Sequence, residues 1–97
     1  MFEIQFLAKA LEDLAWFTKR LQVIILDKIE ERLRHEPNVE TRNRKRLRAG
    51  HVAEWEIRID KARVFYDTDE ESNIVIVVAI GYKERNQLYF QGEEYLA

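Results

Sequence analysis

Residues 74–80 read IVIVVAI, and this run restricts the fold more than any other part of the chain. None of its side chains is polar, which is typical of a central strand that is covered on both faces. The run is far too short to cross a bilayer as a helix. We therefore expect a sheet built around this strand, with Gly81 ending it.

Three other segments alternate between apolar and polar residues, as a strand with one buried face does. They are FEIQF at 2–6, HVAEWEIRID at 51–60 and ARVFYD at 62–67. The polar stretch DEESN at 69–73 reads as the turn before the central strand. The chain thus contains four predicted strands.

The intervening residues 8–35 have the spacing of helices instead. Apolar residues recur there at intervals of three and four, at Leu11, Leu14, Ala15, Ile25, Ile29 and Leu33. A possible break near Thr18 divides the segment into two helices or bends a single one. Pro37 disfavours helical geometry in the residue before it, so it ends the second helix near His35. Residues 36–51 read as a basic loop.

The length and composition limit how these elements combine. A chain of 97 residues supports one modest core in two layers. We predict an α+β fold in a single domain over residues 1–97, with a small antiparallel four-stranded sheet packed on an N-terminal helical hairpin, in the order β-α-α-β-β-β. The absence of cysteine excludes disulfides and thiolate metal sites. With no leader or membrane span expected, the sequence favours a soluble protein of the reducing cytoplasm.

The charge is unevenly distributed along the chain. The net charge is −2, which argues against binding nucleic acid through overall charge. Between residues 42 and 63, however, eight basic residues stand against three acidic ones. The basic residues are Arg42, Arg44, Lys45, Arg46, Arg48, Arg58, Lys61 and Arg63. We expect one electropositive region on an acidic body.

Residues 55–66 fit a hairpin with Asp60–Lys61 as its two-residue turn. Counting from the turn places Arg58 opposite Arg63 and Glu56 opposite Phe65, and opposite residues share a face. One face is apolar and suits the helices, because it carries Trp55, Ile57, Ile59, Ala62, Val64 and Tyr66. The other face, which we call the open face, carries Glu56, Arg58, Arg63 and Phe65.

Two guanidinium groups directly across a sheet repel each other, so the pair of Arg58 and Arg63 needs an explanation. A bound anion supplies one. Ion pairing of both arginines with Glu56 on a solvated face supplies another. The pattern alone leaves these two interpretations open.

Other polar residues are equally ambiguous. The run RNRKRLR at 42–48 suits phosphate contacts but is also typical of a solvated loop. His51 can transfer protons in principle, although a single loop histidine is more often a surface residue. The chain has no metal-ligand spacing, phosphate-binding glycine loop or nucleophile elbow, so we predict no metal and no cofactor.

Taken in order, the segments FEIQF, two helices, RKRLR, WEIRI, ARVFYD, IVIVVAIGYKER and finally Tyr89 resemble the RelE/ParE superfamily of toxins from bacterial type II toxin–antitoxin systems. The resemblance covers nearly the whole chain and is most specific from Trp55 to Tyr89. It implies a RelE-like fold. It also leads us to expect a cognate antitoxin as a partner, binding through a segment rich in acidic and apolar residues.

The RelE-like branch, which the resemblance favours, implies an endoribonuclease that enters the decoding site of the ribosome, cuts messenger RNA without a metal and inhibits translation. By position, the residues that resemble its catalytic set are Arg58, Arg63, Lys83, Tyr89 and Glu56. Glu56 departs from the branch, because the best-known pattern has a lysine there. The usual base is then either replaced by a carboxylate or missing. The residues expected to bind RNA are Arg42, Arg44, Lys45, Arg46, Arg48 and Arg85.

The ParE-like branch implies a different function, because those toxins bind and poison DNA gyrase and need no nuclease residues. The net acidity and Glu56 favour this branch, whereas the other four catalytic candidates together favour RNA cleavage. A catalytically inactive binding protein with the toxin fold is the third alternative. The expected partners besides the antitoxin are therefore the ribosome and mRNA, or gyrase, and no membrane.

Overall fold

The computed structural model describes residues 1–96, which form two helices and one seven-stranded sheet. The helices are α1 (Ala8–Trp16) and α2 (Lys19–Leu33). The strands are β1 (Glu3–Phe6), β2 (Arg44–Arg46), β3 (Trp55–Ile59), β4 (Ala62–Asp69), β5 (Ile74–Glu84), β6 (Gln87–Phe90) and β7 (Glu93–Glu94). Neither described helix is long and apolar enough to span a membrane.

The two predicted helices are confirmed, and Thr18 marks the boundary between them. Its hydroxyl accepts a hydrogen bond from the Leu21 amide at 3.3 Å and so caps the first turn of α2. The helix α2 ends at Leu33, before Pro37, as predicted. Of the predicted apolar stripe, Leu14, Ile25, Ile29 and Leu33 pack on one face of the sheet, which we call the helix face. Leu11 and Ala15 are exposed instead.

The α+β class is confirmed, but the prediction of a four-stranded antiparallel sheet is wrong in two respects. The strand order is β2-β3-β4-β5-β6-β7, and β1 pairs with the first half of β5 in the parallel direction. The short strands β2, β6 and β7 extend the sheet. Alternation in one strand carries no information about its direction relative to a distant partner, so the pattern in FEIQF left the orientation of β1 open.

The prediction that Gly81 ends the central strand is also wrong, because β5 continues to Glu84. Gly81 is needed for the close approach of β6. A Cβ atom there would lie 2.5 Å from the Tyr89 carbonyl oxygen and 2.9 Å from the Phe90 ring. The hairpin turns at Arg85 and Asn86, which both have positive φ, as in the two-residue loops that suit the strand twist.

The hairpin of β3 and β4 has the predicted register. Arg58 pairs with Arg63, Glu56 with Phe65 and Ile59 with Ala62. The apolar residues predicted for its helix face all belong to the buried core. A bulge at Val78 lets both Val77 and Ile80 join that core. Every residue of 74–80 is apolar, so the sequence could not reveal this bulge.

Candidate functional site

The structure brings two arginines together at the turn end of β3 and β4, on the open face. Arg63 is held by the turn, because its Nη1 donates to the carbonyl oxygens of Asp60 at 2.8 Å and Ala62 at 3.0 Å. Its side chain is only 11% exposed. The buried Nε has no hydrogen-bond acceptor within residues 1–96, since the Glu56 carboxylate stands 3.9 Å away. A fixed guanidinium therefore keeps one buried donor unpaired.

The two positive charges of Arg58 and Arg63 are only partly compensated by their surroundings. Burial and the neighbouring charge of Arg58 lower the pKa of the Arg63 guanidinium, and Glu56 opposes that shift. The carboxylate is too far away for a hydrogen bond, so it compensates the two positive charges only in part. An anion that accepts hydrogen bonds from guanidinium groups suits such a site.

Lys83 joins the same face from β5. Gly81 lies opposite Arg63, so Gly81 and Lys83, two residues apart, both lie on the open face. The Lys83 amide donates a hydrogen bond to the Lys61 carbonyl oxygen at 3.0 Å, so the contact between β4 and β5 extends to the turn that joins β3 and β4. Three of the five predicted catalytic residues are thus cations on one face, with Glu56 as the fourth member.

Tyr89 does not join this group, contrary to our expectation. It pairs with Tyr82, and Tyr82 pairs with Ala62 on the helix face. The rings of Trp16, Tyr82 and Tyr89 form a continuous stack, with centroids 5.0 Å and 5.2 Å apart. The turn at Arg85–Asn86 fixes this register and directs Tyr89 away from the arginines. Arg85 itself is exposed in that turn.

The basic run at 42–48 contains a strand, and the strand divides its side chains between two faces. Arg44 pairs with Ile57 and Arg46 with Trp55, both on the helix face, whereas Lys45 pairs with Glu56 on the open face. Arg46 lies over the Trp55 ring at 5.6 Å. Arg42 and Arg48 are exposed on either side.

Arg44, which we predicted to bind RNA, points into the protein instead of towards solvent. Its side chain is buried, and Nη1 donates to the carbonyl oxygens of Glu36 at 2.7 Å and Val39 at 3.2 Å. Its Nη2 donates to the Arg32 carbonyl oxygen at 2.7 Å. These bonds tie the end of α2 to the following loop. The guanidinium is therefore not available to a phosphate.

The buried carboxylate of Asp13, which sequence reasoning missed, links α1 to β5 and to Gln91. On one edge of β5, β1 pairs with residues 74–77 and β6 with residues 82–84. In the interval, Asp13 accepts hydrogen bonds from the Ile80 amide at 2.9 Å, Gln91 Nε2 at 2.7 Å and Lys9 Nζ at 2.9 Å. The sequence feature that could have revealed it is the position of Asp13, three residues after Ala10 and next to Leu14, on the buried side of α1.

Sequence reasoning also missed an aromatic cluster on the open face. Phe65 is fully buried there, and its ring centroid lies 6.1 Å from that of His51 and 5.7 Å from that of Phe90. The Tyr95 ring meets Phe90 edge-on at 5.7 Å. We call His51, Phe65, Phe90 and Tyr95 the open-face aromatic cluster. Its members come from a loop, a central strand and the C-terminal strands, so no local pattern links them.

The helix side carries an apolar groove. It lies between α2 and the turn of the β3–β4 hairpin and has a volume of about 480 Å³. Leu21 and Ile24 line one wall, and Ile59 and Ala62 line the other. Within residues 1–96, no group of three or more metal-binding side chains has the geometry to hold a metal ion.

Comparison with known proteins adds a family and a fold. The sequence model of the family described as ParE toxin of type II toxin–antitoxin system, parDE, matches residues 4–87. The structure is similar to the RelBE2 toxin–antitoxin complex from Mycobacterium tuberculosis, with a TM-score of 0.74 and 22% identity, covering 84% of this chain and 91% of that chain.

Two further structures share this fold. The isolated RelE toxin from E. coli is similar with a TM-score of 0.69 and 21% identity, covering 88% of this chain and 87% of that chain. The archaeal RelE–RelB complex from Pyrococcus horikoshii has a TM-score of 0.69 and 14% identity, covering 87% of this chain and 97% of that chain. Among curated proteins, none matches this chain significantly.

Proposed function

The chain belongs to the ParE toxin family, within the RelE/ParE superfamily of type II toxins, and from this premise we propose that it is an endoribonuclease that cuts messenger RNA on the ribosome. One observation carries the proposal. Arg63 is clamped by the turn and lies opposite Arg58, and the Glu56 carboxylate, 3.9 Å from its Nε, offsets the two positive charges only in part. Such a group suits a phosphate that gains negative charge during reaction.

The reaction would proceed by transesterification. The 2′-oxygen of a ribose attacks the adjacent phosphorus and loses its proton to a base, and the bond from phosphorus to the 5′-oxygen breaks. The products are a 2′,3′-cyclic phosphate and a 5′-hydroxyl, after the leaving oxygen takes a proton. We assign Arg58, Arg63 and Lys83 to stabilising the charge on the phosphate oxygens. Glu56 offsets the arginine pair, and Tyr89 has no direct role.

A second candidate is poisoning of DNA gyrase. The matched family is that of ParE, and Tyr89 lies on the face opposite the arginines. Inducing the protein in growing cells and measuring translation and replication separately distinguishes the two functions. Early loss of translation with ribosome-dependent mRNA cuts supports the nuclease. Early replication arrest with intact mRNA overturns it in favour of gyrase.

We also propose that a cognate antitoxin covers the apolar groove. The similar structures include toxin–antitoxin complexes, and the groove presents Leu21, which is 39% exposed. Leu21→Lys places a charge in an apolar contact and should weaken the complex at least tenfold. Val23→Lys is the control, because Val23 is 58% exposed on the same helix and does not line the groove.

The affinity of each variant for the co-expressed product of the adjacent small open reading frame is measured by calorimetry, together with rescue of growth. Equal weakening by both substitutions would place the interface elsewhere. A neighbouring product that neither binds nor protects would refute the pairing itself.

The exposed part of the basic run should contribute general attraction to RNA rather than chemistry. Phosphate contacts release counterions, so Lys45→Gln and Arg48→Gln should each flatten the dependence of log binding constant on log salt by about 0.7 for single-stranded RNA. Cleavage at saturating protein should survive. Arg44→Gln should instead lower the melting temperature, because Arg44 holds three carbonyl oxygens. An unchanged salt slope in the first two variants would mean that these residues are only solvated.

A further inference from the structure

The open-face aromatic cluster presents an exposed ring on a rigid support. The His51 ring lies on the fully buried Phe65 with an angle of 20° between their planes. His51 Nδ1 accepts a hydrogen bond from the Val52 amide at 2.8 Å, which fixes the ring and leaves the proton of the neutral imidazole on Nε2. His51 is exposed although its inner face is covered. One flat face and one donor are therefore left for a ligand.

Tyr95 provides a second ring beside the first. Its centroid lies 6.4 Å from that of His51, with an angle of 34° between the planes. The position of Tyr95 is fixed by a backbone hydrogen bond from its amide to the Leu88 carbonyl oxygen at 2.8 Å and by the edge contact with Phe90. Both rings are thus supported from below by Phe65 and Phe90. Two adjoining rings with supported positions form a surface on which a planar group can stack.

The cluster lies next to the arginine pair. Phe65 follows Arg63 by two residues on β4 and shares the open face with it, which separates their Cα atoms by about 7 Å. Phe65 also pairs directly with Glu56. A planar group on His51 and an anion at Arg63 can therefore belong to neighbouring units of one polymer.

The loop that carries His51 also bounds a cleft of about 550 Å³, large enough for one planar ring system. Arg46 and Arg48 line it together with two carboxylates, those of Glu54 and Asp67. Its floor is fixed, because Asp67 accepts a hydrogen bond from the Glu54 amide at 2.9 Å and Glu54 accepts one from the Thr68 amide at 3.1 Å. The cleft and the open-face aromatic cluster share His51.

We propose that His51 and Tyr95 form a stacking site for an unpaired base of single-stranded RNA, next to the phosphate bound by Arg58 and Arg63. This proposal rests on the proposed endoribonuclease function and names the part of the substrate that the open-face aromatic cluster holds. Stacking on aromatic rings is tolerant of base identity, because every base has a π-face. The cluster would therefore position the strand rather than select a sequence.

The test compares the affinity for two fluorescent RNA hexamers, one intact and one abasic, at fixed salt. Tyr95→Leu and His51→Ala should each lower the affinity for the intact hexamer by about 5- to 100-fold, as expected for the loss of one stacked base. Their affinity for the abasic hexamer should not change. Tyr95→Phe should bind like the parent, because it keeps the ring. Tyr89→Ala is the control, since Tyr89 stacks on the helix face.

The proposal is overturned if the parent protein binds the intact and the abasic hexamer equally, or if Tyr95→Leu and His51→Ala bind the intact hexamer like the parent while thermal melts show that they are folded. Cleavage of mRNA on ribosomes by the parent is measured in parallel. Its absence overturns the endoribonuclease function, whereas cleavage without base-dependent binding overturns the stacking site alone.

Discussion

Replacing Arg63 by alanine should lower the rate of mRNA cleavage on saturated ribosomes by about 10²–10³-fold, the usual effect of removing one donor to developing negative charge. The loss should be in the chemical step, because the exposed Arg58 and the partly exposed Lys83 still attract the strand. Arg63→Lys should recover little activity, since a lysine cannot reach both the turn carbonyls and a phosphate with a rigid fork. Arg20→Ala, an exposed arginine on α2, is the matched control.

Glu56→Gln tests the role of the carboxylate that lies beside Arg63. Glu56 is 3.9 Å from Arg63 Nε and offsets the arginine charges, so this variant should keep cleavage within about tenfold of the parent. A loss of about 10² or more would instead identify Glu56 as the general base. If Arg63→Ala and Lys83→Ala inhibit growth like the parent, toxicity does not arise from the open face, and the gyrase function should replace the nuclease.

Asp13→Ala should destabilise the protein by about 3 kcal/mol, because it leaves the buried Ile80 amide without an acceptor and removes a charged partner of Lys9 and Gln91. For a domain of this size each kcal/mol lowers the melting temperature by about 4–8 °C. Urea unfolding followed by circular dichroism measures the change. Asp13→Asn should be milder, since its amide oxygen can still accept one hydrogen bond.

The control for Asp13 is its neighbour Glu12, which is exposed on the same helix. Glu12→Ala should change the free energy of unfolding by less than about 0.5 kcal/mol. Equal destabilisation by the two substitutions would mean that the hydrogen bonds of Asp13 do not stabilise the part of β5 between its pairings with β1 and β6.

The part of the site that the sequence predicted correctly is the part whose pairing is local. Arg58 faces Arg63 because two alternating strands are joined by the two-residue turn Asp60–Lys61, so counting along the chain fixes the register. The two helices and the break near Thr18 were predictable for the same reason, since their signals lie within a few residues.

The remainder depends on contacts between distant segments. The basic run gave no sign of a strand, so the burial of Arg44 and the opposite orientation of Lys45 were not foreseen. Tyr89 was assigned by position in a family pattern, and only the turn at Arg85–Asn86 shows which face it occupies. Asp13 accepts a hydrogen bond from the part of β5 that lies between its pairings with β1 and β6, and these pairings join segments far apart in the sequence.

The parallel pairing of β1 with β5 also determines when the protein can fold during its synthesis. Ile4, made first, pairs with Val75, so β1 has no strand to join until most of the chain exists. Contacts so distant in sequence are slow to form, because the long intervening loop must close first. The edge of β5 is completed only when β6 and Gln91 reach Asp13. A partly synthesised chain therefore lacks the finished sheet, and its first strand stays unpaired until the last third of the sequence has been made.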